Sequence, residues 1–186
     1  MRDDSPVDRR TRGSREGGVY ATVVPPSARA LSTLHRIDYA DTFLVGVSPT
    51  RRWTAQEWVR AVLQDAPLAV RTKLLSGWSA IGLKVGQGGG GQSLLGWEVR
   101  HDSPEFVLLG ADSWIGMPGE LLFKREPDAL LFATFVQHDN ALARAVWAAV
   151  EPVHVQVVRD ILSQATARVF AASGSRGLTG DERSEA

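Results

Sequence analysis

The stretch that decides the fold is Asp139–Ala172, DNALARAVWAAVEPVHVQVVRDILSQATARVFAA. Asp139 or Asn140 can cap a helix start, because a short side-chain oxygen accepts from a free backbone N–H of the first turn. Leu142, Val146, Trp147 and Val150 then make a first apolar face. Pro152 removes one backbone donor and predicts a kink or a restart. Beyond it His154, Val158, Ile161, Leu162, Ala165 and Val169 form a continuous stripe, with Arg144, Arg159, Asp160 and Arg168 elsewhere. A stripe this long needs a broad apolar surface to lie on, and the upstream sequence offers one made of strands.

The first strand is read at Ile37, Tyr39, Phe43, Val45 and Val47, which share one parity, while Arg36, Asp38 and Thr42 fall on the other. Asp41 breaks the apolar parity, which a strand end, bend or bulge would allow. Leu95, Trp97 and Val99 alternate with Gly96, Glu98 and Arg100. Asp102-Ser103-Pro104 reads as a turn, and Phe106–Ala111 as a return strand that is apolar on both parities and hence central. A second hairpin turns at Glu126-Pro127-Asp128-Ala129, which sets Phe123 opposite Phe132 and Leu121 opposite Thr134. Between the first strand and these hairpins lies a helical region, Thr54 to about Ser79. Thr54 and Glu57 have the spacing of a capping box, and Trp58, Val62 and Leu63 follow on one face. Pro67 opens a second short helix near Asp65, with Leu68, Arg71, Leu75 and Trp78 at helical spacing.

This order predicts an α+β fold: a curved antiparallel sheet wrapped around a long C-terminal helix, with short helices after the first strand. Residues 31–172 form the single domain. Residues 1–30 and 173–186 read as disordered tails, since Met1–Gly18 and the run from Ser173 carry few large apolar residues to offset their ordering entropy.

Composition narrows the partners. Lys+Arg and Asp+Glu are equal at 21 each, which leaves no net field to hold nucleic acid. The 44% apolar content is enough for a core, and the longest apolar runs, such as Leu130–Val136, fall far short of the ~20 residues of a membrane helix. Zero cysteines rule out disulfides, thiolate metal sites and thiol nucleophiles, which suits a cytoplasmic protein. The first residues hold no apolar segment of the signal-peptide kind.

Asp38-Tyr39, Trp53 and Trp58, Leu95-Gly96-Trp97, the run Thr134–Asn140, then Arg144, Trp147 and Pro152-Val153-His154 ahead of Arg159 resemble an uncharacterised family. That family belongs to the START-like helix-grip (SRPBCC) superfamily of polyketide cyclases, lipid-transfer domains and coenzyme Q chaperones. The resemblance covers about Asp38–Ala167. It implies a hydrophobic tunnel between sheet and terminal helix. Because the superfamily has no universal catalytic residues, the likeness transfers a cavity and no reaction.

Other motifs do not complete a site. Gly86–Gly91 has glycines at the places of a dinucleotide fingerprint, but a strand follows where a helix N-terminus is required, so it reads as a flexible loop. Glu151 and His154 have di-iron spacing without the other ligands, so no metal or cofactor is expected. Asp112 and Ser113 suggest a triad, but no nucleophile elbow exists. His154 lies on the sheet-facing stripe. It is either a core histidine bonded to a backbone carbonyl or to Glu151, or a group at the cavity end that bonds a ligand or transfers a proton. Arg144 reads as a salt-bridge or solvent-facing residue. Trp97 and Trp114 are candidates for the cavity wall, the latter in a loop beside Gly116 and Pro118. The expected cavity residues are Trp97, Trp114, Phe123, Phe132, His154 and Val158. The favoured expectation is a non-enzymatic binder of a small hydrophobic molecule, lipid, polyketide or quinone-like. A cyclase- or dehydratase-like enzyme and an interaction protein with a filled cavity remain as alternatives, and oligomerisation stays open.

Overall fold

The computed structural model describes residues 17–46, 53–86 and 92–177. Its strands are β1 (Val19–Ala21), β2 (Tyr39–Gly46), β3 (Ser93–Leu94), β4 (Trp97–Asp102), β5 (Phe106–Ala111), β6 (Gly119–Glu126) and β7 (Ala129–Val136). The helices are α1 (Pro26–Arg29), α2 (Ala55–Val59), α3 (Leu68–Ala80) and α4 (Ala141–Gly177), with a π-helical turn at Arg60–Gln64. The strands form one antiparallel sheet in the order β1-β2-β7-β6-β5-β4-β3. With α4 against it, the chain is α+β and consistent with the expected helix grip.

Several elements follow their local chemistry closely. Thr54 Oγ1 accepts from Glu57 N while Thr54 N donates to Glu57 Oε2, which closes the capping box on α2. Pro67 precedes α3. β6 and β7 pair in the expected register, with Phe123 opposite Phe132 and Leu121 opposite Thr134. The two phenyl rings meet edge to face at 5.1 Å, and such pairs add roughly 0.5–1.5 kcal/mol beyond burial. β5 lies between β4 and β6, with both of its faces covered.

Four expectations change. Leu95 and Gly96 are not strand; both have positive φ (48° and 83°) and form the tight turn joining β3 to β4. α3 buries Leu74, whereas Leu68 is exposed, because α3 lies at the margin of the core. α4 runs through Pro152 without interruption, and its first half buries Ala143 and Trp147 while Leu142 faces outward. The last change concerns the two tails. β1 pairs with β2, Val19 opposite Val45, and α1 follows within the stretch assigned to disorder. Strand pairing and the apolar contacts of Val24, Ala28, Leu31 and Leu34 supply the anchoring that the composition of Met1–Gly18 lacks. At the other end α4 continues to Gly177, into the stretch from Ser173 that was expected to be a tail. Residues 1–16, 47–52, 87–91 and 178–186, which include Val47 and most of the glycine run, lie outside the described residues.

The two faces of the sheet carry separate cores. Phe43, Val45, Leu109, Leu121, Phe123, Leu130 and Phe132 face inward and meet Val158, Leu162, Ala165 and Val169 of α4, together with α2 and the π turn. Leu108, Leu122, Leu131, Ala133 and Phe135 face outward and are covered by the chain from Val24 to Ile37.

Candidate functional site

The inner face of β2 continues the parity of Phe43 and Val45 through Asp41 to Tyr39, with no bulge in its register against β7. Asp41 is therefore an inward carboxylate. It stands opposite Thr134, whose backbone N donates to Asp41 Oδ1 at 3.3 Å. Tyr39 Oη donates to Asp41 Oδ2 at 3.0 Å, and His154 Nε2 from α4 meets the same oxygen at 3.0 Å. Asp41 and His154 side chains keep only 13% and 16% of their exposure. With the carboxylate as acceptor, Nε2 carries the proton in neutral His154 and Nδ1 carries the lone pair. Burial first, then the adjacent Asp41 charge, pushes the Tyr39 hydroxyl well above the ordinary tyrosine range, so it stays a proton donor to Asp41.

Aromatic rings fix this cluster. Trp147 sits one side of it, with ring centroids 4.7 Å from Tyr39 and 5.1 Å from His154. Asn140 caps α4 through Ala143 N and also donates to the Ile115 carbonyl, which ties the helix start to the β5–β6 loop.

Beside the cluster lies a cavity of about 40 Å³. The sheet contributes Trp97, Gly119, Leu121, Thr134 and Val136; α4 contributes Trp147 and His154; Trp78, Ile81, Leu83 and Met117 close the remaining sides. A cavity needs about 10–15 Å³ to hold one water, so this one has room for a few waters or a small organic group. Its wall is apolar apart from a few polar atoms. Three of the lining residues also hold a polar atom closed off from solvent and without a hydrogen-bond partner among the described residues: Trp97 Nε1, Trp147 Nε1 and Thr134 Oγ1.

Two of the expected wall residues, Trp97 and His154, line this cavity. The other four stand elsewhere. Trp114 is 67% exposed, with Lys84 Nζ 4.2 Å from its ring centroid. Phe123, Phe132 and Val158 pack in the inner core, away from the cavity wall. His154 bonds a carboxylate from the other layer, and neither a backbone carbonyl nor Glu151. Reading the sequence alone misses Asp41, Tyr39, Thr134 and Trp147. Asp41 did leave a signal: a charge on the inward parity of a strand requires a buried partner. Naming that partner across a separation of 113 residues requires the tertiary fold.

Among the described residues no three His, Cys, Asp or Glu side chains gather to hold a metal ion, and no helix is long and apolar enough to cross a membrane. Comparison with known proteins gives no matching family model, no matching curated protein and no matching solved structure.

Proposed function

We propose that this protein binds a small, mostly apolar molecule in the cavity between sheet and terminal helix, as a START-like helix-grip protein would. The observation that carries this reading is a mostly apolar pocket between sheet and terminal helix with the polar side chain of His154 among its lining, the usual make-up of a small-molecule site. A longer lipid, polyketide or quinone-like molecule would place one end here and needs Met117 or the tryptophans to yield. The absence of cysteine suits a reducing compartment such as the cytoplasm. Trp78, Trp97 and Trp147 border the cavity and should report its filling. Freshly purified protein in native mass spectrometry should carry a co-purified molecule, or a panel of small apolar compounds should quench tryptophan fluorescence saturably. Bare protein together with a flat response to the whole panel would remove the reading.

A second reading is favoured by the Asp41–His154 contact: a carboxylate that orients a histidine at the edge of a pocket is the arrangement of a general base. Under this reading His154 Nδ1 exchanges a proton with the bound molecule.

A further inference from the structure

Helix α3 is held less firmly than the chain on either side of it. Of its thirteen residues only Leu74 is buried, and among the described residues Trp78 is the one member of this helix that packs on the inner core. A helix of this length is marginal in water without packing, and Gly77 weakens it further. The flanks are pinned. Upstream, Ala61, Val62, Leu63 and Ala66 are buried, and Arg168 of α4 holds the Ala61 carbonyl. Arg71 Nη1 donates to the Gln64 carbonyl at 3.3 Å, at the junction itself. Downstream, Gly82 turns the chain at φ 81°, and its carbonyl accepts from Trp114 N at 2.8 Å and from Ser113 Oγ at 3.1 Å. Lys84 N donates to the Asp112 carbonyl at 2.8 Å. A weakly packed helix therefore spans two fixed points, and such segments open at far lower free energy than the core around them.

The one core contact of α3 is also a wall of the cavity. Trp78 lines it and meets Trp97 edge to face, with ring centroids 5.3 Å apart, and Ile81 at the helix end lines it beside them. Lifting α3 takes Trp78 out of the wall while Leu83 stays bridged to Ser113. An opening on the α4 side would instead break the His154 contact with Asp41 and uncover Val158 and Leu162. Resting on the reading that the cavity takes a ligand, we infer that α3 is the lid of this cavity: it swings between the π turn and Gly82, Trp78 leaves the wall, and the ligand enters there. Trp78 is then both the anchor of the lid and the plug of the entrance.

Hydrogen exchange of the full chain tests this. The amides of residues 71–80 should exchange as one unit, about a hundredfold or more faster than those of Lys84, Trp114 and the α4 segment around Leu162. Trp78→Ala should bring the α3 amides close to open-chain exchange and leave Lys84 and Trp114 protected; the wild-type comparison decides alone should this variant not fold. Xenon under pressure, which enters apolar cavities, serves as the occupant, followed by ¹⁵N–¹H spectra of the Trp97 and Trp147 indoles. A lid closed over xenon should exchange severalfold more slowly, with the rest of the chain unchanged. Exchange of α3 as slow as that of α4, exchange unmoved by Trp78→Ala, or xenon that shifts the indole signals without slowing α3 overturns the lid and leaves the binding function standing. Xenon that moves no indole signal overturns the cavity reading and the lid together.

Discussion

Asp41 shows how a strand can carry a charge on its buried face without losing register. On β2 it holds the place an apolar residue would take, and it is tolerated because Tyr39, His154 and the Thr134 backbone give it three hydrogen bonds. A second buried histidine has the opposite situation. His138 follows β7, is 8% exposed, and has an unpartnered Nε2 among the described residues. Burial holds its pKa below the ordinary 6.5, helped by the positive charges of Arg144 and Arg36 and opposed by Asp38. The unfolded chain therefore takes up this proton at a higher pH than the folded chain does. Stability from this group is fully present above about pH 6.5 and is lost as pH falls from there toward the lowered folded value. Urea unfolding should show a falling free energy between about pH 7 and pH 5, with part of that slope gone in His138→Gln. An unchanged slope in the variant would remove His138 as its source. The sequence placed His154 on the right face of the right helix. It could not show His138 as neutral or Asp41 as a partner, because burial and contact are set by elements far away in the chain.

Among the elements, those whose signal is local were legible, and those that depend on neighbours were not. The capping box, the Pro67 start and the β6–β7 register each rest on a few adjacent residues. The π turn closes locally, with Asp65 N donating to the Arg60 carbonyl at 2.8 Å, but it also meets a distant residue: the Arg168 guanidinium of α4 donates to the Ala61 carbonyl at 2.9 Å. No residue within Arg60–Gln64 announces that Arg168 will arrive there. Helix α4 does not restart at Pro152; helix continues on both sides of it. Proline inside a helix costs about 3 kcal/mol relative to alanine through the lost donor and the ring clash. Burial of Val158, Leu162 and Ala165 on the far side, with Ala143 and Trp147 on the near side, outweighs that cost. Pro152→Ala restores a donor to the Ala148 carbonyl at an exposed position. Part of the gain is offset by the freer unfolded chain, leaving an expected stabilisation of about 1–2 kcal/mol in chemical denaturation. A destabilised variant would mean that the proline shapes the helix for the contact between His154 and Asp41.

At the scale of the whole molecule, the sheet is covered on both sides, and the second cover is the chain from Val24 to Ile37, whose first part, Val24 and Ala28, the sequence assigned to a tail. Glu120 on the outer face of β6 is wholly buried. It accepts from Ser32, from the backbone and hydroxyl of Thr33, and from the Arg100 guanidinium at 2.8 Å. Arg100 reaches it across Gly110, where a Cβ would lie 1.9 Å from Arg100 Nε, so only glycine leaves that passage open. This latch fixes the chain at Ser32 and Thr33, and the neighbouring Ala28, Leu31 and Leu34 then close over Leu108, Leu122, Leu131 and Phe135. The apolar residues on both parities of β5 are explained by these two covers. A chain shortened to begin at Asp38 loses the outer cover and leaves Glu120 without Ser32 and Thr33. The uncovered leucines and Phe135 would form a contiguous apolar face of the kind that drives association. Size-exclusion chromatography should show the shortened chain self-associating, with strong binding of a hydrophobic dye, where the full chain does not bind it. A shortened chain that stays monomeric and melts at the full chain's temperature would show the outer segment to be dispensable, and the inner core with α4 would then carry the stability of the sheet unaided.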